Sequence, residues 1–296
     1  MTPAEKALSE TSVIVVCYNS SAVIADSLAP LKDAATVIVV DNASTDGSAE
    51  RIAADFPGVT LIRNERNLGY GRAVNQAMAL VETPFALHLN PDAVLPPEML
   101  AKLQEGMVGA GDKCVIAAPL LESPRRGFEL SVSGPGDWAQ SPIRPEPEGP
   151  FCTWFVTGAV WLVRTATWRA LGGFDENIFL YHDDFEFCRR ATDAGYRIVV
   201  VPDARGKHLV SQGTTPTTRI RWRKEWNIIW GHLYVLRKYE GAASAKHEAW
   251  RLIRKHGPKT LFYALVLQRK RFMRDLAVTH AALTHLLRSE DWRPNG

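Results

Sequence analysis

The segment FLYHDDFEFCRR, residues 179–190, holds the residues best suited to chemistry. It places Asp183, Asp184 and Glu186 within four positions and surrounds them with aromatic side chains. Carboxylates that lie close together in apolar surroundings cannot all ionise at low cost, so at least one pKa rises toward the range useful for moving protons. The same residues also fit a helix start, with Asp183 as N-cap and Glu186 completing a capping box. The segment alone leaves both interpretations open.

A second set of polar residues follows short β-branched runs in the first third of the chain. Asn19 follows TSVIVVC, Asp41 ends TVIVVD, and Asn90 and Asp92 follow FALHL. Strands that alternate with helices predict a mostly parallel central sheet covered by helices on both faces. Ligands bind such sheets at the carboxyl ends of the strands. The intervening helices are predicted around residues 20–29, 46–55 and 71–81.

The alternation stops in the middle of the chain. Residues 133–150 contain five prolines and three glycines, which predicts a loop without regular structure. Residues 151–164, FCTWFVTGAVWLVR, indicate a buried strand or strand pair. From Arg219 onward the apolar residues recur at helical spacing.

Charge divides the chain in two. Residues 216–296 carry 17 Lys and Arg against 6 Asp and Glu, whereas residues 1–215 carry 18 against 26. We therefore predict an acidic domain over 1–215 and a basic, amphipathic helical extension over 216–296. A basic extension with Trp and Arg suits either nucleic acid or the anionic surface of a membrane, although such a stripe also serves as ordinary helix-packing surface.

Cysteine spacing and the N-terminus indicate the compartment. The four cysteines are far apart and form no C-x-x-C pair, which argues against a zinc site or a disulfide framework and fits a reducing cytosol. The N-terminus has no basic segment followed by an apolar run, so we expect neither export nor a membrane span.

The familiar nucleotide motifs are absent. Gly69 and Gly71 lack the third glycine of G-x-G-x-x-G, and no Walker lysine motif occurs, which disfavours a dehydrogenase or a phosphate-loop NTPase. A nucleotide can still bind through strand-end carboxylates. In that arrangement Asp41 meets a ribose or base edge and a divalent cation bridges Asp92 to a diphosphate.

Six motifs in order resemble the family 2 inverting glycosyltransferases, most closely the bacterial rhamnosyltransferase-like members. They cover residues 12–210 and are VIVVCYNS, VIVVDNASTDGS, NLGYGRAVNQA, LHLNPDAVLP, TGAVWLVR and GGFDENIFLYHDDFEFCRRATDAGYRI. The resemblance implies a GT-A fold, which is Rossmann-like, and transfer of a sugar from a nucleotide donor.

The resemblance also implies where the donor binds. It assigns Tyr18, Asn19 and Asp41 to the nucleoside. Asn90-Pro-Asp92 corresponds to the D-x-D metal motif, with Asp92 as ligand of Mg²⁺ or Mn²⁺ and Asn90 as a departure from the family's usual acid. His208 matches a histidine that supports the metal or the diphosphate in many members, and the alternative is a structural histidine. Arg219 is a candidate for the diphosphate, but it fits solvent or a lipid phosphate equally well.

Family members read E-D-x-D or E-D-x-E in the acidic segment, so the resemblance makes Asp184 the catalytic base. Asp184 then removes a proton from the acceptor hydroxyl as that oxygen attacks the anomeric carbon. Asp183 and Glu186 either orient the acceptor or cap the helix.

The predicted partners are a nucleoside-diphosphate sugar and a glycan or lipid-linked glycan acceptor of a bacterial surface polysaccharide. Family likeness favours dTDP-rhamnose, and UDP- and GDP-sugars remain open. We expect a cytoplasmic protein attached peripherally to the inner face of the membrane, with no nucleic acid as partner. Two other classes remain open: a nucleotidyltransferase, which normally has a glycine-rich basic segment after the first strand, and a non-catalytic binding scaffold derived from such an enzyme.

Overall fold

The computed structural model describes residues 1–123, 127–129, 131–134, 137–142, 146–208 and 217–288. The chain divides into two compact units. The first contains residues 1–175 and 184–214, and the second contains residues 176–183 and 215–296. The short segment 176–183 therefore belongs to the second unit although both of its neighbours in sequence belong to the first.

The first unit is built from alternating strands and helices. Its helices are α1 (Pro3–Ser9), α2 (Ile24–Leu28), a 3-10 turn (Ala29–Leu31), α3 (Ser48–Asp55), α4 (Tyr70–Met78), α5 (Pro97–Gly109) and α6 (Thr165–Ala170), followed by α7 (Asp183–Asp193), which begins at the boundary between the units. Its strands are β1 (Thr11–Cys17), β2 (Thr36–Asp41), β3 (Thr60–Arg63), β4 (Phe85–Leu89), β5 (Ala93–Val94), β6 (Cys114–Ser123), β7 (Gly127–Glu129), β8 (Ser131–Gly134), β9 (Asp137–Pro142), β10 (Phe151–Thr153), β11 (Phe155–Val156), β12 (Val160–Arg164) and β13 (Arg197–His208).

Ten strands of the described residues form one mixed sheet with the path β10-β13-β6-β12-β4-β1-β2-β3, to which β5 and β7 add by pairing with β13 and β6. Strands β3, β2, β1 and β4 run parallel to one another, whereas β12 is antiparallel to β4 and β6. Because β12 runs the opposite way, it begins where β4 ends, with Val160 paired to Leu89. The carboxyl ends of β1, β2 and β4 and the first residue of β12 therefore lie along one edge.

Both faces of the sheet are buried. Val13 and Val15 belong to the hydrophobic core on one face, and Ile14 and Val16 belong to the core on the other. Successive side chains of a strand point to opposite faces, so an unbroken apolar run such as SVIVVC requires cover on both sides. This confirms the α/β fold class that the sequence predicts.

The prediction of an irregular loop over residues 133–150 is wrong for part of that stretch. Strand β9 pairs antiparallel with β8, and β8 pairs with β11, so the segment contributes to a separate three-stranded sheet. Pro142 is compatible with this sheet because it is the last residue of β9, which lies at the edge. Proline density therefore marked an edge strand here rather than the absence of strands.

The second unit is helical. It contains α8 (Thr218–Glu240), α9 (Ala242–Leu265) and α10 (Arg269–Leu287), and its core includes Leu233, Leu252 and Val278, one from each helix. Trp226 and Trp230 of α8 stack with ring centroids 5.5 Å apart. Among the described residues, no helix combines the length and the apolar character that a bilayer crossing requires.

Candidate active site

The loops after β1 and β2 are bonded to each other. Asn19 has a left-handed backbone (φ 53°), a conformation that Asn tolerates better than most residues. Its amide donates to Ser44 Oγ at 2.9 Å, and its Oδ1 accepts from the amide of Thr45 at 2.8 Å. The Asn19 side-chain oxygen is thus used to join the two loops. The neighbouring Tyr18 is half-buried at the same edge.

Asp41 ends β2 and is buried. Its Oδ2 accepts from the amide of Ser44 at 3.1 Å, whereas its Oδ1 is buried without a hydrogen-bond partner among the described residues. Leaving a buried carboxylate oxygen unsatisfied costs free energy that a bound donor group would recover. A ligand hydroxyl or base N–H is the natural partner for this oxygen.

Asn42 is a residue that the sequence reasoning missed. Its Oδ1 accepts from Asn64 Nδ2 and from the amide of Leu68, and its Nδ2 donates to Asn67 Oδ1 and to the carbonyl of Gly69. Asn42 therefore holds the NLGYG loop against the end of β2. Its position directly after Asp41 in VIVVDN was the available signal.

Asp92 and His208 come together through strand pairing. Strand β5 pairs antiparallel with the end of β13, and this register places His208 opposite Ala93. His208 Nε2 lies 3.3 Å from Asp92 Oδ1, and about 15% of each side chain is exposed. A carboxylate oxygen of Asp92 and a ring nitrogen of His208 are therefore close together at a partly solvated position. A search of the described residues found no group of three or more His, Cys, Asp or Glu suited to a metal.

A short chain of hydrogen bonds connects the end of β4 to the acidic segment. The amide of Asn90 donates to the carbonyl of Ala159 at 2.9 Å. The amide of Gly158, the residue before Ala159, donates to Asp184 Oδ2 at 3.3 Å. The Asn90-Pro-Asp92 turn and the Asp184 carboxyl are thus hydrogen-bonded to two adjacent residues, Ala159 and Gly158, directly before β12.

Asp184 is held by backbone amides. Its Oδ1 accepts from the amide of Phe185 at 2.8 Å, in addition to the contact from Gly158. Burial raises the pKa of the Asp184 carboxyl above its usual value, and the two backbone amides partly oppose that rise. Residue 184 as a whole is nevertheless only partly buried. Burial, rather than repulsion from Asp183 or Glu186, is the main cause of the raised pKa.

Glu186 lies in a buried ion pair. Its side chain has no exposed surface, and both of its oxygens accept from Arg190, at 3.0 Å from Nε and 2.7 Å from Nη2. Arg190 also donates to the carbonyls of Leu171 and Gly173. The pair therefore fixes α7 to the glycine turn that precedes Phe174. A bidentate arginine contact of this kind is the strong form of a charge-assisted hydrogen bond.

Asp183 is buried and is the last residue of the segment 176–183. Before it, Tyr181 and His182 have left-handed backbones (φ 65° and 64°), which is a strained conformation for side chains of this size. Gly231 of α8 permits their close approach, since a Cβ there would lie 3.0 Å from the His182 ring. Burial, and next the neighbouring His232, lower the pKa of His182 to about 4, so His182 is neutral at pH 7.

The structure brings most of the predicted residues to one sheet edge. Asp41 and Cys17 are register partners at the ends of β2 and β1, β4 follows β1 in the sheet, and β12 follows β4. Asn19, Asp41, Asn90, Asp92, His208 and Asp184 all belong to this first unit. Arg219 lies on α8 of the second unit, where it is exposed.

Two family models match this chain. The model described as Glycosyl transferase family 2 matches residues 12–158, and the model described as Glycosyl transferase family group 2 matches residues 148–287. Together they extend from the first strand to the end of α10.

Among curated proteins, the N-acetylglucosaminyl-diphospho-decaprenol L-rhamnosyltransferase of Mycobacterium tuberculosis is 28% identical over 211 residues, which cover 60% of this chain and 68% of the relative. The O-antigen chain rhamnosyltransferase WbaN of Salmonella anatum is 27% identical over 195 residues, covering 61% of this chain and 58% of the relative.

Among solved structures, the mannosyltransferase PcManGT from Pyrobaculum calidifontis, crystallised with GDP-Man and Mn²⁺, superposes with a TM-score of 0.58 at 18% identity. The alignment covers 94% of this chain and 87% of PcManGT. At this identity the likeness speaks for the fold alone.

Proposed function

Since the chain belongs to glycosyltransferase family 2 and has the GT-A fold, we propose that it transfers a sugar with inversion from a nucleoside diphosphate to a hydroxyl group of a glycan or a lipid-linked glycan. The glycosyltransferase class follows from the family. The direction of displacement, the donor, the acceptor and the roles of individual residues are our proposal.

We propose rhamnose as the transferred sugar and dTDP-rhamnose as the first donor to test. Both curated relatives described above are named as rhamnosyltransferases, and one of them as acting on a diphospho-decaprenol-linked sugar. A hydroxyl of a lipid-linked glycan is accordingly the acceptor that we favour.

The observation that carries the mechanism is the setting of Asp184. A carboxylate with a raised pKa is a better proton acceptor, and the remaining accessible surface leaves room for a hydroxyl group. As the acceptor oxygen attacks the anomeric carbon, Asp184 takes its proton and the nucleoside diphosphate leaves from the opposite side. The amides of Gly158 and Phe185 hold the carboxylate in place through this step.

Asp92 and His208 fit a divalent cation that is shared with the donor. Mg²⁺ is normally held by one or two carboxylates and fills its other positions with phosphate and water, so Asp92 would supply the carboxylate, with His208 Nε2 beside it. A bound cation would offset the negative charge of the diphosphate leaving group.

Asp41 is proposed to bind the nucleoside. Its unsatisfied Oδ1 calls for a donor group, and the end of β2 is the position where nucleotides approach an α/β sheet. Asn19 contributes by holding the loop after β1 to the loop after β2. We propose that the neighbouring Tyr18 also contacts the nucleoside.

One predicted role changes with the geometry. We propose that Glu186 positions α7 through Arg190 and does not meet the acceptor, because its oxygens are engaged and it has no exposed surface. Asp183 keeps both of its proposed roles, which are to orient the acceptor or to cap α7. Arg219 stays a prediction for the diphosphate.

The experiment that tests this function is a donor panel. Release of free nucleoside diphosphate is measured with dTDP-rhamnose, UDP-sugars and GDP-sugars, with and without a chelator. We expect turnover with dTDP-rhamnose and its loss in the chelator. Absence of nucleoside diphosphate release from every donor, with an acceptor present, would contradict the proposal.

The cation site has its own test. Asp92→Ala should weaken donor binding and abolish its dependence on added Mg²⁺ or Mn²⁺, as measured by calorimetry without acceptor. Asp26→Ala, an exposed aspartate on α2, is the matched control and should keep the cation response. An unchanged cation response in Asp92→Ala would exclude Asp92 as a ligand.

A further inference from the structure

The end of α9 and the two residues that follow it, which we call the apolar tip (residues 261–267), expose large apolar side chains. Leu261 is 70% exposed, Phe262 57%, Leu265 82% and Leu267 88%. Single exposed apolar residues are ordinary on protein surfaces, but a contiguous group marks a surface that is covered by something else. The described residues of the chain provide no cover for the tip.

The backbone at the tip makes these exposed residues more unusual. The amide of Gln268 donates to the carbonyl of Tyr263, and the amide of Leu267 donates to that of Ala264, which is the Schellman ending of a helix. Leu267 occupies the left-handed position of this motif (φ 53°), where glycine or asparagine is usual. A leucine there bears backbone strain without any compensating burial within the chain.

Basic residues surround the tip. Residues 254–274 contain seven Lys and Arg and no Asp or Glu. Directly after the tip, Arg269, Lys270 and Arg271 are exposed at the start of α10. A second copy of the chain would bring another tip of the same charge, so repulsion disfavours self-association through this surface.

A cavity of about 770 Å³ lies beside this basic turn, between the first turns of α8 and α10. Six of its lining residues are cations: Arg221, Lys224, Arg269, Lys270, Arg271 and Arg274. Arg274 pairs with Asp275, and Glu225 is the carboxylate among the lining residues. The remaining excess of positive charge suits a phosphate group.

We propose that the apolar tip inserts into the interface of an anionic bilayer and that the adjacent cationic cavity binds the phosphate of a lipid headgroup. Apolar side chains flanked by Lys and Arg are the combination that binds membrane interfaces through burial and electrostatic attraction together. Nucleic acid would use the positive charge but would leave the leucines exposed. This site lies in the second unit, uses no residue of the transfer site and does not rest on the transfer chemistry.

The test is binding of the full chain to vesicles, measured by co-sedimentation without donor or acceptor. Vesicles of phosphatidylcholine are compared with vesicles that also contain phosphatidylglycerol. The first variant changes Leu265→Ser and Leu267→Ser, and the second changes Arg269, Lys270 and Arg271 to Gln. All five side chains are exposed, so both variants should fold, which circular dichroism and thermal unfolding verify.

Each variant has a control matched in type. Leu287→Ser removes an 82% exposed leucine at the opposite end of α10, roughly 28 Å along the helix from the tip. Substitution of Lys32, Lys113 and Lys246 by Gln removes three exposed cations elsewhere and gives the same net charge as the tip variant.

We expect the natural chain to prefer the anionic vesicles. Each Lys or Arg near an anionic surface contributes about a fivefold gain in binding, so the triple Gln variant should bind roughly 100-fold more weakly, and the double Ser variant about 10-fold or more. Both controls should bind like the natural chain. The proposal is overturned if the natural chain does not bind anionic vesicles, if the tip variants bind as well as their controls, or if the leucines are needed for dimerisation or DNA binding instead.

Discussion

Two positions at the start of α7 use the same kind of side chain in opposite ways. Asp184 is held by two backbone amides, keeps part of its surface accessible and has a raised pKa. Glu186, two residues later, is fully buried and bound through both oxygens by Arg190. A carboxylate that is neutralised by a guanidinium stabilises the fold and is a poor base. Asp184 has no guanidinium partner among the described residues, so its carboxylate is costly to bury and remains able to take a proton.

The difference shows how the acidic segment serves chemistry and structure together. The pair between Glu186 and Arg190 fixes α7 to the carbonyls of Leu171 and Gly173. That anchoring sets the position of the helix start and hence of Asp184. Residues that act as a rigid support for a reactive group are as necessary as the group itself.

Asp184→Asn should have the largest effect on activity. Removing a general base lowers kcat by about 10²- to 10⁴-fold, while donor binding should be nearly unchanged. Asp193→Asn, at the other end of α7 in an exposed pair with Arg189, is the control and should keep full activity. Transfer at the natural rate by Asp184→Asn would remove Asp184 from the mechanism.

The same substitution should stabilise the fold at neutral pH. Because the folded state raises the pKa of Asp184, it binds the proton more tightly than the unfolded chain, so this contribution to stability is present at acid pH and is lost as pH rises through the raised pKa. At pH 7 the ionised Asp184 therefore destabilises the protein. Asp184→Asn should unfold at a higher temperature than the natural chain at pH 7, with the difference shrinking toward pH 4. A lower unfolding temperature at pH 7 would contradict this account of its environment.

Glu186→Gln should instead affect stability. It leaves the Arg190 guanidinium without its counter-charge, which we expect to cost about 3 kcal/mol in the free energy of unfolding. The molecules that remain folded should keep most of their kcat. The exposed pair of Arg189 and Asp193 has the same spacing on the same helix, so Asp193→Asn should change the free energy of unfolding by less than about 1 kcal/mol. Equal losses from the two substitutions would mean that burial of the Glu186 pair is unimportant.

Gly158→Ala should give the smallest effect. A Cβ at position 158 would lie 3.1 Å from Asp184 Cβ, so the carboxyl would shift by a few tenths of an ångström. A small misplacement of a reacting group costs about tenfold in kcat. Gly58→Ala, where a Cβ meets nothing within 4 Å, is the control. Unchanged kcat in Gly158→Ala would show that this contact does not position Asp184.

Sequence patterns sufficed where the structure depends on local periodicity. Unbroken apolar runs required a covered sheet, and the residues directly after those runs, such as Asp41 and Asn90, necessarily fell at strand ends. Asp184 was proposed as the base because the order of motifs resembles a family. A raised pKa was expected from neighbouring carboxylates in apolar surroundings, and in the structure burial is its main cause. The amide of Gly158, which is distant in sequence, lowers that pKa and was not predicted.

The features that the sequence did not predict depend on residues that are far apart in the chain. The role of Glu186 depends on Arg190, which donates to the carbonyls of residues 171 and 173. The hydrogen bonds of the Asn42 side chain depend on a loop more than twenty residues away. Strand β9 was missed because Pro142 is tolerated at a sheet edge, which composition does not indicate. The left-handed backbone of Leu267 could not be predicted without knowing the residue at which α9 ends.

The pKa of the Asp184 carboxyl is the property on which this account depends most directly. Carbon-13 NMR of aspartate-labelled protein, titrated with pH, can measure it, with Asp184→Asn used to assign the resonance. We expect one resonance to titrate above the ordinary value of 3.8, to be absent in Asp184→Asn, and to follow the acidic limb of the activity profile. A resonance that titrates at or below 3.8, or an acidic limb that persists unchanged in Asp184→Asn, would contradict the proposal that Asp184 is the base.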